Sequence, residues 1–389
     1  MATISRRFLI RSASAATLAA STPGLARAAA PGAKRFLLVI LRGGVDGLAV
    51  LPPIGDPDLA RHRPDATKAL HLGGRRDFGL HPDLTALAGL WRRKQLVAFH
   101  AIGTPYRDRS HFDAQNVLES GLPEPRGSAD GWLNRAVLAA QLPEAVAMNI
   151  GPRPSLVLSG QAQVGSWSPN GLPPADDSTL ARIADLWSAD RLLGPYLERA
   201  IDQQAMTGSM DSPMDGARAE GRSIVPLMTG AAELMSKPDG PRIVALDNAG
   251  WDTHVRMDAA LGRKLGDLNR GLEVLIEGLQ PVWNETAVLV VSEFGRTAAI
   301  NGNQGTDHGN GGAAFLFGGA VQGGHVIADW PGLGPRDLLD ARDLRPTLDV
   351  RQLFRAVLHD HLAFASAPLG QTILPGVRPS RAFEGLFRT

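Results

Sequence analysis

The chain contains no cysteine, and this absence limits its chemistry before any motif is considered. Disulfides and thiolate ligands are both excluded, so a bound metal would have to be held by His, Asp, Glu or other oxygen groups. The formal net charge is only +1, which is not the strongly basic balance of proteins that bind nucleic acids. Aromatic residues make up 5% of the chain, which is too few to indicate a stacking surface for sugars or bases.

One catalytic signature is also missing. The chain has no Gly-x-Ser-x-Gly segment, the strand-turn-helix elbow that exposes the nucleophile of many serine esterases.

The composition is that of an ordinary globular protein, with 389 residues of which 44% are hydrophobic and 20% charged. This length allows two domains, but a single α/β domain can also reach it. We predict one domain over residues 29–389.

The first 28 residues are predicted to be a targeting segment rather than part of the fold. "SRRFLIR" (residues 5–11) has the paired arginines and following apolar residues of a twin-arginine export signal, and "ARA" (residues 26–28) is typical of a cleavage site. The intervening run is too short and too rich in Ser and Ala for a membrane span. The sequence therefore predicts export by the twin-arginine translocase to the periplasm or beyond, with no membrane span in the mature chain.

Apolar runs that alternate with amphipathic segments predict the fold class. Leucine spacing over residues 259–279 predicts a helix, and helices are also expected over 183–202 and 349–363, with a loop or helical excursion over 203–240. This alternation predicts an α/β protein whose mostly parallel sheet is covered on both faces. Buried strands are expected near residues 35–42, 96–103, 145–151, 155–160, 241–250 and 286–295.

Polar residues follow several of these strands, where open α/β sheets bind ligands. If the strands share one sheet, several acids and histidines converge at one edge, and a divalent cation, or two, is the natural way to neutralise them. A Gly-rich loop, "NGNQGTDHGNGG" (residues 301–312), adds an Asp-His pair that a simple turn does not need. The residues concerned are Asp46, Ser110, Asp247, Asp252, His254, Ser292, Glu293, Asp307 and His308.

Each of these residues also has a purely structural interpretation. Asp46 could be a turn residue, Ser110 a helix cap, and Glu293 one half of an ion pair with Arg296. Asp252 and His254 could be a turn Asp and a packed His, and the Asp-His pair of the Gly-rich loop could be loop decoration. Most other histidines are expected to be structural, although His111 is of interest because it neighbours Ser110.

Five ordered motifs carry a resemblance to a known family. "GGVDGL", "RSHFDAQ", "GWDTH", "SEFGRT" and "GTDHGNGG" extend over residues 43–312, and residues 342–362 add a sixth segment. Together they resemble the exported bacterial family called domain of unknown function fifteen-zero-one. That family is similar in turn to the alkaline phosphatase-like superfamily of phosphatases, sulfatases and phosphoglycerate mutases. The resemblance implies a three-layer α/β/α sandwich and a hydrolase of phosphate or related oxyanion esters.

The resemblance also implies roles for individual residues. Ser110 resembles a nucleophile at a helix N-terminus, and the residues that resemble ligands of one or two divalent ions (Zn, Mn or Ca) are Asp46, Asp252, His254, Glu293, Asp307 and His308. At Glu293 the superfamily has Asp-His, so one histidine ligand is missing, and Asp247 is an alternative to Asp252. The sulfatase signature Cys/Ser-x-Pro-x-Arg is absent.

The helix start at Ser110 suits an anion, because free backbone N–H groups and the helix dipole favour negative charge there. Arg107, Arg109 and Arg296 are candidates to clamp the oxygens of a small-molecule or polymer ester substrate. The missing histidine leaves a second hypothesis open. In it, the protein binds a metal without catalysis and takes part in envelope assembly or in binding a surface polymer.

Overall fold

The computed structural model describes residues 33–73, 77–143, 146–169 and 223–388, together with residues 182–183, 186–187 and 190. The predicted export signal lies outside these residues, as do most of the predicted helix 183–202 and the first part, residues 203–222, of the loop or helical excursion predicted over 203–240. Those three assignments stay predictions. The described part of that excursion contains a helix, Val225–Ser236.

In the described residues a nine-stranded sheet organises the fold. Two further strands, β2 (Leu70–Gly73) and β3 (Phe78–Leu80), pair with each other in a separate antiparallel hairpin. The strands of the main sheet are β1 (Arg35–Arg42), β4 (Leu96–Gly103), β5 (Ala147–Ile150), β6 (Gly165–Trp167), β7 (Ile243–Ala249), β8 (Thr286–Val291), β9 (Gly312–Phe317), β10 (His325–Ile327) and β11 (Leu348–Asp349).

The strand order is β10-β4-β9-β8-β1-β7-β5-β6, and β11 also pairs with β4. β9 runs antiparallel to both of its neighbours, β4 and β8, whereas every other pairing in this sheet is parallel. The predicted mostly parallel sheet is therefore confirmed. The antiparallel strand β9 follows directly after the Gly-rich loop, so the chain turns back into the sheet immediately beyond the predicted site.

The α-helices in this part of the chain vary from one turn to six. The longest, at 22 residues, matches the predicted amphipathic segment 259–279. They are α1 (Gly47–Val50), α2 (Leu59–His62), α3 (Thr85–Arg92), α4 (His111–Ser120), α5 (Trp132–Ala139), α6 (Val225–Ser236), α7 (Met257–Gly278), α8 (Val350–Ala356) and α9 (Ser366–Pro368).

Both faces of the sheet are buried, as the continuous apolar strands predicted. Successive side chains of β1 alternate between two cores: Leu37 and Val39 face the core built with α3, α6 and α7, whereas Leu38 and Ile40 face the core built with α4, α5 and α8. The sandwich therefore has three layers, and the predicted α/β/α architecture is confirmed.

Two local assignments differ from the sequence interpretation. The strand predicted over residues 155–160 is wrong, because Leu156–Leu158 form one turn of 3-10 helix. The late helix predicted over 349–363 is α8 followed by a π-helical turn, Val357–His361. In both places short apolar segments satisfied more than one pattern, and packing selected the conformation.

Direction and order of the strands position the site. β1, β7 and β8 are adjacent and parallel, and β4 runs in the same direction two strands from β8. Their carboxyl ends therefore open at one edge of the sheet. The loops beyond these four ends carry Asp46, Asp252, Glu293 and Ser110.

Candidate metal centre

His111 is the first residue of α4, and its ring is fixed by a buried acid. Glu293, fully buried just after β8, accepts a hydrogen bond from His111 Nδ1 at 2.8 Å. Gln115 and the backbone N–H of Gly43 donate to the same carboxylate. Burial would raise the pKa of Glu293, but these hydrogen bonds, from His111 first, lower it below its ordinary value. The pKa of His111 is raised, chiefly by its hydrogen bond to Glu293.

His254 and His308 come from the turn after β7 and from the Gly-rich loop. His254 Nδ1 lies 3.2 Å from Asp307 Oδ1, and His308 Nδ1 lies 3.0 Å from the backbone carbonyl oxygen of Arg109. Burial and then the charge of His111 lower the pKa of His308, which favours its neutral form. Asp307 does not face the centre directly, because it is held between His254 and Asn301.

The three histidines share one arrangement. Each Nδ1 faces an oxygen acceptor and therefore carries a proton, which leaves the Nε2 lone pair free in the neutral ring. All three Nε2 atoms turn toward Asp252: that of His254 is 3.0 Å and that of His308 is 3.4 Å from Oδ1, and that of His111 is 3.5 Å from Oδ2. Ligand atoms of His111, Asp252 and His308 all lie within 4.8 Å of one another.

Two observations indicate that a cation fits between these atoms. The Nε2 atoms of His254 and His308 are only 3.0 Å apart, and two lone pairs at that distance repel unless a proton or a metal ion lies between them. The Nε2 atom of His111 is buried and has no hydrogen-bond partner. Histidines whose Nδ1–H groups are held by carboxylates or carbonyls are typical metal ligands.

Asp252 is held from the other side by Arg296. The Arg296 guanidinium donates to Asp252 Oδ1 at 2.7 Å and to the carbonyl oxygen of Thr306 at 2.8 Å, and it is almost fully buried. Burial would raise the pKa of Asp252, but Arg296 and then the charges of His254 and His308 lower it. Arg296 therefore keeps this carboxylate ionised and positioned.

Asp46 lies at the same edge of the sheet but has a different set of contacts. It is buried, caps α1, and accepts a hydrogen bond from Arg63 Nη2 at 2.9 Å and one from the Thr306 hydroxyl at 3.2 Å. Arg63 is itself buried, so the two charges form an internal ion pair. Hydrogen bonds through Thr306 and Arg296 connect Asp46 to Asp252.

Ser110 caps α4, with its Oγ 3.5 Å from the backbone N–H of Asp113. Its neighbours in sequence both touch the centre, Arg109 through its carbonyl oxygen and His111 through its ring. Arg109 adopts a positive φ of 64°, a conformation uncommon for residues other than glycine. The contacts of Arg109 and His111 thus hold the backbone on both sides of Ser110, the predicted nucleophile.

The arginines predicted to clamp a substrate are engaged with the protein. Arg109 donates to Asp343 and Asp340, and Arg107 donates to the carbonyl oxygens of Thr104 and Tyr106. Arg296 is bound as described above. Their role toward a substrate stays a prediction, whereas their contacts within the protein are defined.

The Gly-rich loop brings His308 to the centre because two of its glycines allow close backbone approach. A Cβ at Gly305 would lie 2.1 Å from the His254 carbonyl oxygen, and one at Gly309 would lie 2.4 Å from the Arg296 carbonyl group. The Asn301 side chain accepts from the N–H groups of residues 303 and 305 and closes the turn. Any larger residue at these two positions would push the loop away from the strand ends.

Sequence reasoning missed two functional contacts. The sequence singles out His111 only as a neighbour of Ser110, and none of the motifs includes Arg63. The motif RSHFDAQ pointed toward His111, but only the fold shows its ring beside Asp252 and Glu293. Asp247, the alternative to Asp252, instead accepts from Arg42 at 2.8 Å, and Ser292 hydrogen-bonds to the carbonyl oxygen of Leu41.

The fold and the site together define a three-layer α/β/α protein with a His/Asp cluster at the carboxyl ends of its parallel strands. The chain belongs to the family described as "Protein of unknown function (DUF1501)", which matches residues 77–372. Among curated proteins, no sequence matches the chain. The predicted family is confirmed by this match.

Several solved structures are similar at low identity. The lipoteichoic acid synthase LtaP from Listeria monocytogenes is 10% identical with a TM-score of 0.43, over 88% of this chain and 76% of that one. A protein in the alkaline phosphatase superfamily from Vibrio parahaemolyticus is 11% identical with a TM-score of 0.41, over 87% and 70%. The periplasmic domain of EcEptC from Escherichia coli, in complex with Zn, is 9% identical with a TM-score of 0.38, over 74% of each chain.

Within the described ranges, none of the helices combines the length and the apolar character needed to cross a bilayer.

Proposed function

We propose that this protein is an exported, metal-dependent hydrolase of phosphate or related oxyanion esters. The observation that carries the proposal is the convergence of three histidine Nε2 atoms on the carboxylate of Asp252, with each Nδ1 held by an oxygen. Packing alone does not explain this set, because the three rings are partly exposed and two Nε2 lone pairs face each other. It fits the requirements of a bound divalent ion.

We further propose a single ion, held by Asp252 and the three histidines. Asp46 is already neutralised by Arg63, so it needs no second cation. A histidine-rich set favours Zn or Mn over Ca, which prefers oxygen ligands. When bound, the ion would supply Lewis-acid stabilisation of negative charge and would lower the pKa of a nearby hydroxyl.

An anionic substrate suits this set of ligands. The three histidines are neutral when they use Nε2 as a ligand, and the charge of Asp252 is balanced by Arg296. A divalent ion at this position therefore keeps most of its positive charge, which favours a phosphate or similar oxyanion in the same place.

Ser110 is the proposed nucleophile. It stands at the N-terminus of a ten-residue helix, where free N–H groups favour an oxyanion. In this mechanism its Oγ forms a bond to phosphorus as the ester P–O bond breaks, and the leaving oxygen takes up the proton of the serine hydroxyl. A water molecule then attacks the phosphorus, the Oγ–P bond breaks, and the water gives one proton back to Oγ as phosphate is released. A small-molecule or polymer ester is the proposed substrate, met in the periplasm or outside the cell after export through the twin-arginine translocase.

The metal site is tested by elemental analysis of the folded, untagged protein. We expect about one divalent ion per chain, and we expect the ion to be lost in His308→Ala. The exposed histidine His325, on the edge strand β10, provides the matched control His325→Ala, which should keep the ion. Equal metal content in both variants, or no metal in the wild-type protein, would contradict the site.

The nucleophile is tested with a panel of chromogenic phosphate and phosphonate esters. Ser110→Ala is expected to lower kcat at least 100-fold while metal content is unchanged. Ser236→Ala, at the far end of α6, controls for general effects of a serine substitution. Full turnover by Ser110→Ala would rule out the covalent mechanism.

A specific observation also favours a second function, metal-dependent binding without catalysis. Each of the three predicted clamping arginines already donates hydrogen bonds to protein groups, which leaves fewer of its N–H donors for a substrate. A surface-polymer binding or envelope-assembly protein would keep the ion and tolerate Ser110→Ala. Metal content near one ion together with inactivity toward every ester would support this alternative.

A further inference from the structure

A second cavity lies away from the metal centre, between α8 and the C-terminal segment. Its volume is about 220 Å³, and it shares no lining residue with the His/Asp cluster. One wall comes from α8 and the π-helical turn that follows it, and the other comes from Ser366, Pro379, Ser380, Phe383 and Glu384. The cavity is thus separate from the proposed metal centre.

Arg355 gives this cavity its character. Only 8% of its surface is exposed, and its Nη1 atom is buried without a hydrogen-bond partner. No carboxylate of the described residues lies within ion-pair distance of its guanidinium. A guanidinium cannot lose its proton in a protein, so this buried charge remains charged.

The other buried arginines show how unusual this is. In the described part of the chain, Arg35, Arg63 and Arg296 are the other arginines with under a tenth of their surface exposed. Arg35 donates to three backbone carbonyl oxygens, Arg63 binds Asp46 and two carbonyls, and Arg296 binds Asp252 and Thr306. Of these four arginines, only Arg355 has no acceptor among the described protein groups, and its side chain lines the cavity.

We infer that this cavity binds a small carboxylate ligand through Arg355. The planar fork of a guanidinium matches the two oxygens of a carboxylate, and the hydroxyl of Ser380 and the amide of Gln352 add polar groups in the wall. Two acids, Asp360 and Glu384, lie at the exposed rim. Their negative charge disfavours a doubly charged phosphate and selects a singly charged ligand with hydroxyl or amino substituents.

The test uses the full chain titrated with acetate, lactate and glycine, with inorganic phosphate as the comparison, at constant ionic strength. Ligand-observed NMR is the readout. The carboxylates should bind saturably to the wild-type protein and at least tenfold more weakly to Arg355→Gln. Arg381→Gln removes an equal charge from an exposed position nearby and should bind them as the wild type does.

Several results would overturn the inference. Carboxylate binding that is equal in Arg355→Gln, or that falls equally in both variants, would show a general electrostatic effect. Phosphate that competes at Arg355 with equal or higher affinity would reject the selection of a singly charged ligand. Binding that appears only in Glu384→Gln would show that Glu384 closes onto Arg355 in solution.

A stability measurement keeps the inference testable without any ligand. An unpaired buried charge destabilises the fold, so Arg355→Met should unfold at a higher temperature than the wild type when no carboxylate is present. Added acetate should raise the Tm of the wild type and leave that of Arg355→Met unchanged. A lower Tm for Arg355→Met without ligand would show that the protein already supplies a partner.

Discussion

At the scale of single residues, one buried acid, Glu293, holds a histidine of the candidate metal centre by its Nδ1 atom. Glu293 is completely buried and touches only His111 among the three histidines. On the proposed function, Glu293 would be a positioning residue, because its hydrogen bond holds the Nδ1 proton of His111 and leaves Nε2 to face Asp252. The superfamily resemblance implies a direct ligand at Glu293 instead, and the two roles differ in what they predict for substitution of this residue.

Replacing Glu293 with Gln tests this positioning role. Loss of the carboxylate charge should lower metal affinity about 10- to 100-fold with the fold retained. The measurement is a competition titration with a chelator. Glu277→Gln, on the exposed side of α7, is the control and should keep the wild-type affinity. Unchanged affinity in Glu293→Gln would show that His111 needs no such partner.

The Asp46–Arg63 pair leads to a prediction about stability. Arg63→Met leaves the buried Asp46 carboxylate with two neutral donors, the Ala49 N–H and the Thr306 hydroxyl, and breaking a buried ion pair typically costs about 3–5 kcal/mol. Urea unfolding of the two proteins measures the difference. Arg61→Met, two residues away and exposed on α2, should change the free energy of unfolding by less than about 0.5 kcal/mol. Comparable loss in both variants would argue against the buried pair.

At the scale of elements, the Gly-rich loop is held by close contacts rather than by side-chain packing. The backbone of Gly305 lies against the carbonyl oxygen of His254, and the same turn leads on to His308. The loop thereby connects two of the three histidines. Its glycines are needed for approach, and its Asn301 side chain for closure.

Two glycines of one loop provide a matched pair of variants. Gly305→Ala places a methyl group 2.1 Å from a backbone oxygen, so the loop must shift and metal affinity should fall at least tenfold. Gly302→Ala meets nothing within 4 Å and should bind metal as the wild type does. Isothermal titration of both proteins with Zn measures the two affinities. Similar affinities would show that the loop has room to adjust.

At the scale of the whole molecule, buried histidines couple the fold to pH. His100 is fully buried in β4, and burial lowers its pKa to about 3, while His361 has a pKa lowered by burial to about 4. Below the ordinary histidine pKa of about 6.5, these two histidines bind protons in the unfolded chain but stay neutral in the folded chain. Stability is therefore complete above about pH 6.5 and is lost progressively as the pH falls toward 3.

We expect His100 alone to account for about 3 kcal/mol of the stability lost between pH 7.5 and pH 4.5. Urea unfolding at both pH values in chelator, so that metal does not contribute, measures the loss. His100→Gln should show a smaller difference between the two pH values. His359→Gln, at an exposed position, is expected to behave as the wild type. An identical pH dependence in all three proteins would contradict the burial argument.

The sequence alone determined the fold class and the sheet edge that carries the site. Continuous apolar strands require burial on both faces, and this local property predicted the three-layer sandwich. Because the carboxyl ends of parallel strands meet at one edge, the strand pattern also placed Asp46, Asp252 and Glu293 together. The motifs predicted the family, which the match over residues 77–372 confirms.

Only the tertiary structure decided which partner each of these residues contacts. Asp46 forms an ion pair with Arg63, whereas His111 lies beside Asp252. These partners are separated by 17 and 141 positions in the chain, and strand spacing carries no information about such side-chain pairs. Local sequence patterns also could not predict the antiparallel direction of β9 or the unpaired guanidinium of Arg355. Pairing direction and burial depend on the packing of the whole molecule.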